Sequence, residues 1–105
     1  MKCFYHTDMD GKCSAAIVHK KVGDRCKFYP INYNDEVPFA TIKIDEEIII
    51  VDFSLQKPGD FDLLYAITRN ITWIDHHWTA IEKHEKYDNL PGIRKDGVAG
   101  CELTW

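Results

Sequence analysis

The stretch Glu46-Glu47-Ile48-Ile49-Ile50-Val51-Asp52 restricts the fold more than any other. Side chains alternate faces along a strand, so unbroken aliphatics from Ile48 to Val51 require apolar cover on both faces. A parallel sheet with helices on each side supplies that cover. No apolar run approaches the ~18 residues a membrane helix needs. The chain has 105 residues, enough for one small domain around one core.

The segments around this strand fit the same architecture. KCFYH (Lys2 to His6) is short and rich in β-formers, and DMDG ends it, with Gly11 supplying turn freedom. From Lys12 to Val22 the apolar residues Cys13, Ala16, Ile17 and Val22 follow a helical period that Gly23-Asp24 closes. CKFYPINY (Cys26 to Tyr33) reads as a second strand, with Pro30 pointing to a sheet edge or a break. Asn34 to Asp45 reads as loop with a little helix. KPGDFDLLYAITR places Pro58 near a helix start and Phe61, Leu64 and Tyr65 on one face. NITWID (Asn70 to Asp75) is a fourth strand, and Thr79 to Tyr87 reads as helix with Thr79 as N-cap. PGIRKDG reads as a turn or short strand, and VAGCELTW as the start of another helix. Strand and helix alternating at this spacing predict an α/β fold, a mostly parallel sheet flanked by helices in a Rossmann-like three-layer arrangement.

Such sheets gather functional groups just beyond the carboxyl ends of their strands. The first strand ends in His6, followed by Asp8 and Asp10; the third ends in Asp52; the fourth ends in Asp75, His76 and His77. Fold stability asks for no such convergence, because neighbouring carboxylates repel and raise one another's pKa values. A divalent cation removes the conflict. Imidazole with several carboxylates and no thiolate suits manganese, iron, zinc or magnesium. The set exceeds one tetrahedral shell and fits two ions sharing a carboxylate, an arrangement that clamps a phosphoryl group.

HTDMDG (His6 to Gly11), IIIVDFSL (Ile48 to Leu55) and WIDHH (Trp73 to His77) together resemble the first three motifs of the DHH phosphoesterase superfamily. That superfamily includes RecJ-type exonucleases, oligoribonucleases, cyclic-dinucleotide phosphodiesterases, manganese pyrophosphatases and exopolyphosphatases. The resemblance implies that His6 and Asp8 hold one ion, Asp10 and His76 the second, and Asp52 both, with Mn2+ foremost and Mg2+ or other divalent ions as alternatives. Asp75 would orient an imidazole from outside the ligand shell, and His77 would contact the scissile phosphate or protonate the leaving oxygen. A water activated by the two ions would be the nucleophile. The implied reaction is hydrolysis of phosphodiester bonds in short single-stranded nucleic acid or nucleotides, the DxDG form of the first motif being closer to the nuclease-like branches. Polyphosphate or pyrophosphate hydrolysis is the alternative within enzymes, and a non-catalytic metal- or nucleotide-binding fragment is the alternative outside them. Family members carry a fourth motif with a further Asp, and most carry a glycine-rich domain that grips substrate. Asp88 and Asp96 match no such motif, so residues 1–105 resemble the N-terminal part of a DHH domain, apparently truncated. The isolated chain could be inactive on that account, and the Asp10–His76 side would bind its ion weakly.

The remaining features have simpler readings. Formal net charge is −4, which gives no footprint for long duplex DNA. The four cysteines, Cys3, Cys13, Cys26 and Cys101, form no C-x-x-C pair and read as buried or neutral thiols of a reduced, cytoplasmic protein. Trp78 is read as packing in preference to stacking on a base, His19 and His84 as solvated, and EKHEK (Glu82 to Lys86) as a wet helix face. The small residues of Gly97 to Trp105 serve equally a phosphate contact or a close helix–sheet contact.

Overall fold

Alternation along the strands decides where each helix packs. The computed structural model describes residues 1–57, 59–77, 81, 90–94 and 104. Within them run β1 (Lys2–His6), α1 (Met9–Val22), β2 (Lys27–Ile31), β3 (Ile48–Val51), α2 (Asp60–Ile67) and β4 (Ile71–Ile74), with short 3-10 turns at Gly23–Arg25 and Phe39–Thr41. Phe4, Ile48, Ile50, Ile71 and Trp73 face one way and share a cluster with Phe61 and Leu64 of α2. Cys3, Ile49 and Val51 face the other way and share a cluster with Val18 and Val22 of α1. The fold is therefore α/β, with one helix on each face of the sheet. Ile48–Val51 is buried at every position, as an aliphatic run covered on both sides must be. Trp73 is fully buried, and its indole N–H is satisfied by the carbonyl of Phe53 at 3.0 Å.

The strands are all parallel, in the order β2-β1-β3-β4. The chain leaves β1 for the edge strand β2, then crosses back to β3 and on to β4. Connections from β1 and β3 thus depart in opposite directions, and the crevice beyond their carboxyl ends is where open α/β sheets place ligands. Tyr5 lies level with Val51, and Val51 with Ile74. His6, Asp52 and Asp75, each one residue further on, end three adjacent strands in one row.

Pro30 lies on the edge strand β2, where a missing amide costs no ladder bond. Helix α1 starts earlier than its apolar period implies, at Met9, with Asp8 as N-cap. Gly11 consequently sits in the first helical turn and supplies no turn freedom. Its role is close approach: a Cβ there would lie 1.9 Å from the His6 carbonyl oxygen. Cys3 and Cys26 are buried thiols as expected, but Cys13 is exposed. Residues 91–94 run beside β4, with the amides of Trp73 and Asp75 donating to the carbonyls of Pro91 and Ile93 at 2.8 and 3.0 Å. No helix among the described residues is long and apolar enough to cross a membrane. Pro58, Trp78, Thr79, His84, Asp88, Asp96 and Cys101 lie outside the described residues, as do nearly all of the helices expected at 79–87 and 98–105.

Candidate metal centre

Each strand end delivers its polar groups by a different local device. After β1, the Asp8 carboxylate accepts the Gly11 amide at 2.8 Å, capping α1 and fixing the turn between His6 and Asp10. After β3, Asp52 takes a left-handed conformation, φ 53°, while its amide donates to the Ile74 carbonyl at 2.9 Å. A left-handed aspartate stores roughly 1–3 kcal/mol of strain and turns the carboxylate back over the sheet edge. After β4, Asp75 Oδ1 accepts the amides of His76 and His77 at 2.8 and 3.3 Å and the His77 ring Nδ1–H at 2.6 Å.

These devices bring together the residues singled out from the sequence. His6 Nδ1 lies 3.0 Å from Asp8 Oδ2 and 4.0 Å from Asp52 Oδ2. His76 Nε2 lies 2.8 Å from Asp52 Oδ1 and 3.4 Å from Asp10 Oδ2. Asp52 is thus the shared member, one oxygen toward each imidazole. Its side chain is 1% exposed, whereas that of Asp8 is 50% exposed, so the cluster has a buried floor and an open rim. His6, Asp8 and Asp52 each offer a ligand atom within 4.8 Å of the others, and so do Asp52, Asp75, His76 and His77. Asp75 is therefore also within ligand range, although its hydrogen bonds orient His77.

Among the described residues, three buried atoms of this cluster, His6 Nδ1, Asp52 Oδ2 and Asp75 Oδ2, have no partner in hydrogen-bond geometry. The 3.0 Å approach of His6 Nδ1 to Asp8 is a contact without hydrogen-bond geometry. Buried polar atoms are normally satisfied, and an unmade bond costs about 1–3 kcal/mol. Unpaired lone-pair donors converging from imidazole and carboxylate are what a divalent cation requires, so the residues fit such an ion.

The protonation equilibria show the same conflict. Burial, the adjoining Asp8 carboxyl and the charges of Asp10 and Asp8 push Asp52 up to about 8, against a smaller opposing pull from His77. Asp8 moves down: burial works against ionisation but is outweighed by the Gly11 amide, the Asp52 carboxyl and His6. His77 moves up because its hydrogen bond to Asp75 stabilises the imidazolium, more than burial disfavours it.

Two members of the site were not singled out from the sequence. Asn32 Oδ1 lies 3.2 Å from His6 Nε2, and the Tyr33 ring lies 4.5 Å from the His6 ring. Both follow the last residue of β2, Ile31, so the strand-end rule could have found them. The aromatic and aliphatic run CKFYPINY disguised them as strand.

No family model matches the chain, and no curated protein matches it at a significant level. Among solved structures, an uncharacterized protein from Helicobacter pylori G27 has the same fold, with a TM-score of 0.72 and 21% sequence identity over 98% of this chain. The chain spans 34% of the length of that protein.

Proposed function

We propose that this domain is a metal-dependent phosphoesterase of the DHH type, hydrolysing phosphodiester bonds in short single-stranded nucleic acid or nucleotides. The observation that carries the reading is Asp52, buried at the switch point of the sheet between a His6–Asp8 pair and an Asp10–His76 pair. The two pairs would each hold a divalent cation, Mn2+ foremost, with Asp52 serving both. Such ions would bind phosphoryl oxygens and acidify water. They would also reverse the sign of an acidic cluster that otherwise repels a phosphate.

The protein's own groups divide the remaining work. Asp75 accepts the His77 Nδ1–H, so Nε2 is the ring atom that would face substrate. The His77 side chain is 34% exposed and its hydrogen bond to Asp75 favours the imidazolium, which would suit it to donate a proton to a leaving oxygen. The free thiols of Cys3, Cys13 and Cys26 accord with a reducing, cytoplasmic setting.

Turnover by the purified chain with Mn2+, assayed on a short oligonucleotide, a cyclic dinucleotide and polyphosphate, tests the reading. Cleavage of the oligonucleotide, lost in Asp52→Asn, is the expected result. Cleavage of polyphosphate alone would support the phosphoanhydride alternative. Mn2+ binding without turnover of any substrate would leave a non-catalytic metal-binding module.

A further inference from the structure

We propose that Asn32 is a positioning residue that fixes His6 as its Nε2–H tautomer and thereby makes Nδ1 the atom His6 offers to a cation, an inference that rests on the metal reading above. Asn32 follows Ile31, which lies level with His6 across the β1–β2 pair. The backbone amide of Tyr33 donates to Asn32 Oδ1 at 3.0 Å. An amide nitrogen cannot accept that bond, so the carboxamide oxygen faces the site. His6 Nε2 lies 3.2 Å from the same oxygen and carries a proton where it makes this bond. A neutral imidazole has one N–H, which leaves a bare lone pair on Nδ1.

His6 Nδ1 is buried, has no partner in hydrogen-bond geometry among the described residues, and lies 3.0 Å from Asp8 Oδ2 and 4.0 Å from Asp52 Oδ2. Asn32 is itself anchored: its amide donates to Asp35 Oδ2 at 2.8 Å and its carbonyl accepts the Asp35 amide at 3.0 Å. The Tyr33 ring covers His6 at 4.5 Å and stacks on buried Phe53 at 5.9 Å. His6 is therefore held at its edge by Asn32 and on its face by Tyr33. Partners of this kind on the far nitrogen of a metal-ligating histidine typically govern 10- to 100-fold in metal affinity.

Two measurements test this. Nitrogen-15 NMR of metal-free protein, with His6 assigned by its loss in His6→Gln, reads the tautomer without altering Asn32. The expected spectrum shows a protonated Nε2, whether or not the neighbouring Asp8 carboxylate also holds a proton on Nδ1 while no cation is bound, and a protonated Nδ1 alone would overturn the inference. Calorimetric Mn2+ titration then compares wild type, Asn32→Ala and Asn32→Asp, with thermal melts confirming that each is folded. Asn32→Ala is expected to bind on the order of 10- to 100-fold more weakly. Asn32→Asp, which keeps an acceptor for both N–H groups, should stay within a few-fold of wild type. Equal affinity in Asn32→Ala, or equal loss in Asn32→Asp, would overturn the proposal. Absence of Mn2+ binding in wild type would instead defeat the metal reading, while the tautomer result would still decide what Asn32 does to His6.

Discussion

At the amino edge of the sheet, Lys2 Nζ reaches both carboxylate oxygens of Glu46 at 2.7 and 2.8 Å, and the chain's own amino terminus adds a contact at 3.3 Å. At the carboxyl edge of the same strands, Asp8, Asp10, Asp52 and Asp75 share their space with imidazoles, and three buried atoms have no hydrogen-bond partner among the described residues. Glu46 is pulled down to about 2, burial being outweighed by Lys2, the Lys43 amide and the terminal amine. Asp52 is pushed up to about 8. The two edges bury carboxylates in one small domain, yet their proton affinities move in opposite directions. The amino edge is complete as it stands and serves the fold. The carboxyl edge crowds carboxylates and imidazoles whose charges conflict in the metal-free protein, the pattern that the proposed cations would relieve.

Exchanging charge at each edge should break this contrast in opposite ways. Asp52→Asn should abolish Mn2+ binding at both imidazole pairs, a loss beyond the roughly 100-fold that an outer partner governs, read by calorimetry. The same change should leave the metal-free fold as stable as wild type or more so, because it removes a carboxylate that resists ionisation. Lys2→Met at the other edge should do the reverse. It leaves Glu46 with only the Lys43 amide and the amino terminus as partners and should destabilise by about 3 kcal/mol in a denaturant melt, leaving Mn2+ affinity unchanged in the folded protein. Gly11→Ala should cost about 2 kcal/mol, because the new methyl meets immovable His6 backbone. It should also weaken Mn2+ binding by displacing His6, which Lys2→Met should not.

Metal-free stability should also depend on pH, with opposite signs at the two edges. Glu46 has a folded value of about 2 against an ordinary 4.5. Its contribution is complete above the ordinary value and is lost as pH falls from about 4.5 toward about 2. Asp52 has a folded value of about 8 against an ordinary 3.8, so the folded state keeps a proton that the unfolded chain releases. Metal-free stability should therefore decline as pH rises from about 4 to about 8. Thermal melts in chelator should show both slopes. Asp52→Asn should flatten the second slope alone, and its persistence in that variant would assign it elsewhere.

The same contrast explains what the sequence reveals. The carboxyl edge is legible because adjacent residues announce it: Asp75, His76 and His77 follow one strand directly, and Asp52 follows four aliphatics. Burial on both faces of Ile48–Val51 likewise implies the parallel sheet. The amino edge is not legible, because Lys2 and Glu46 are 44 residues apart and nothing in a period links them. Asn32 was hidden by the strand-like letters before it. Gly11 looked like a hinge because glycine serves both loose turns and tight contacts, and only the 1.9 Å approach to His6 separates the two. That Asp8 caps α1 is set by its hydrogen bond from the Gly11 amide, which the pattern D-x-D-G does not specify.

The central claim is that the carboxyl edge holds cations on both sides of Asp52. Anomalous scattering at the manganese edge from crystals grown with Mn2+ tests it most directly. The account predicts two peaks, one against His6 Nδ1 and Asp8 and the other against His76 Nε2 and Asp10, with Asp52 between them. Crystals with no anomalous density at this edge, or with manganese bound only elsewhere on the molecule, would contradict it.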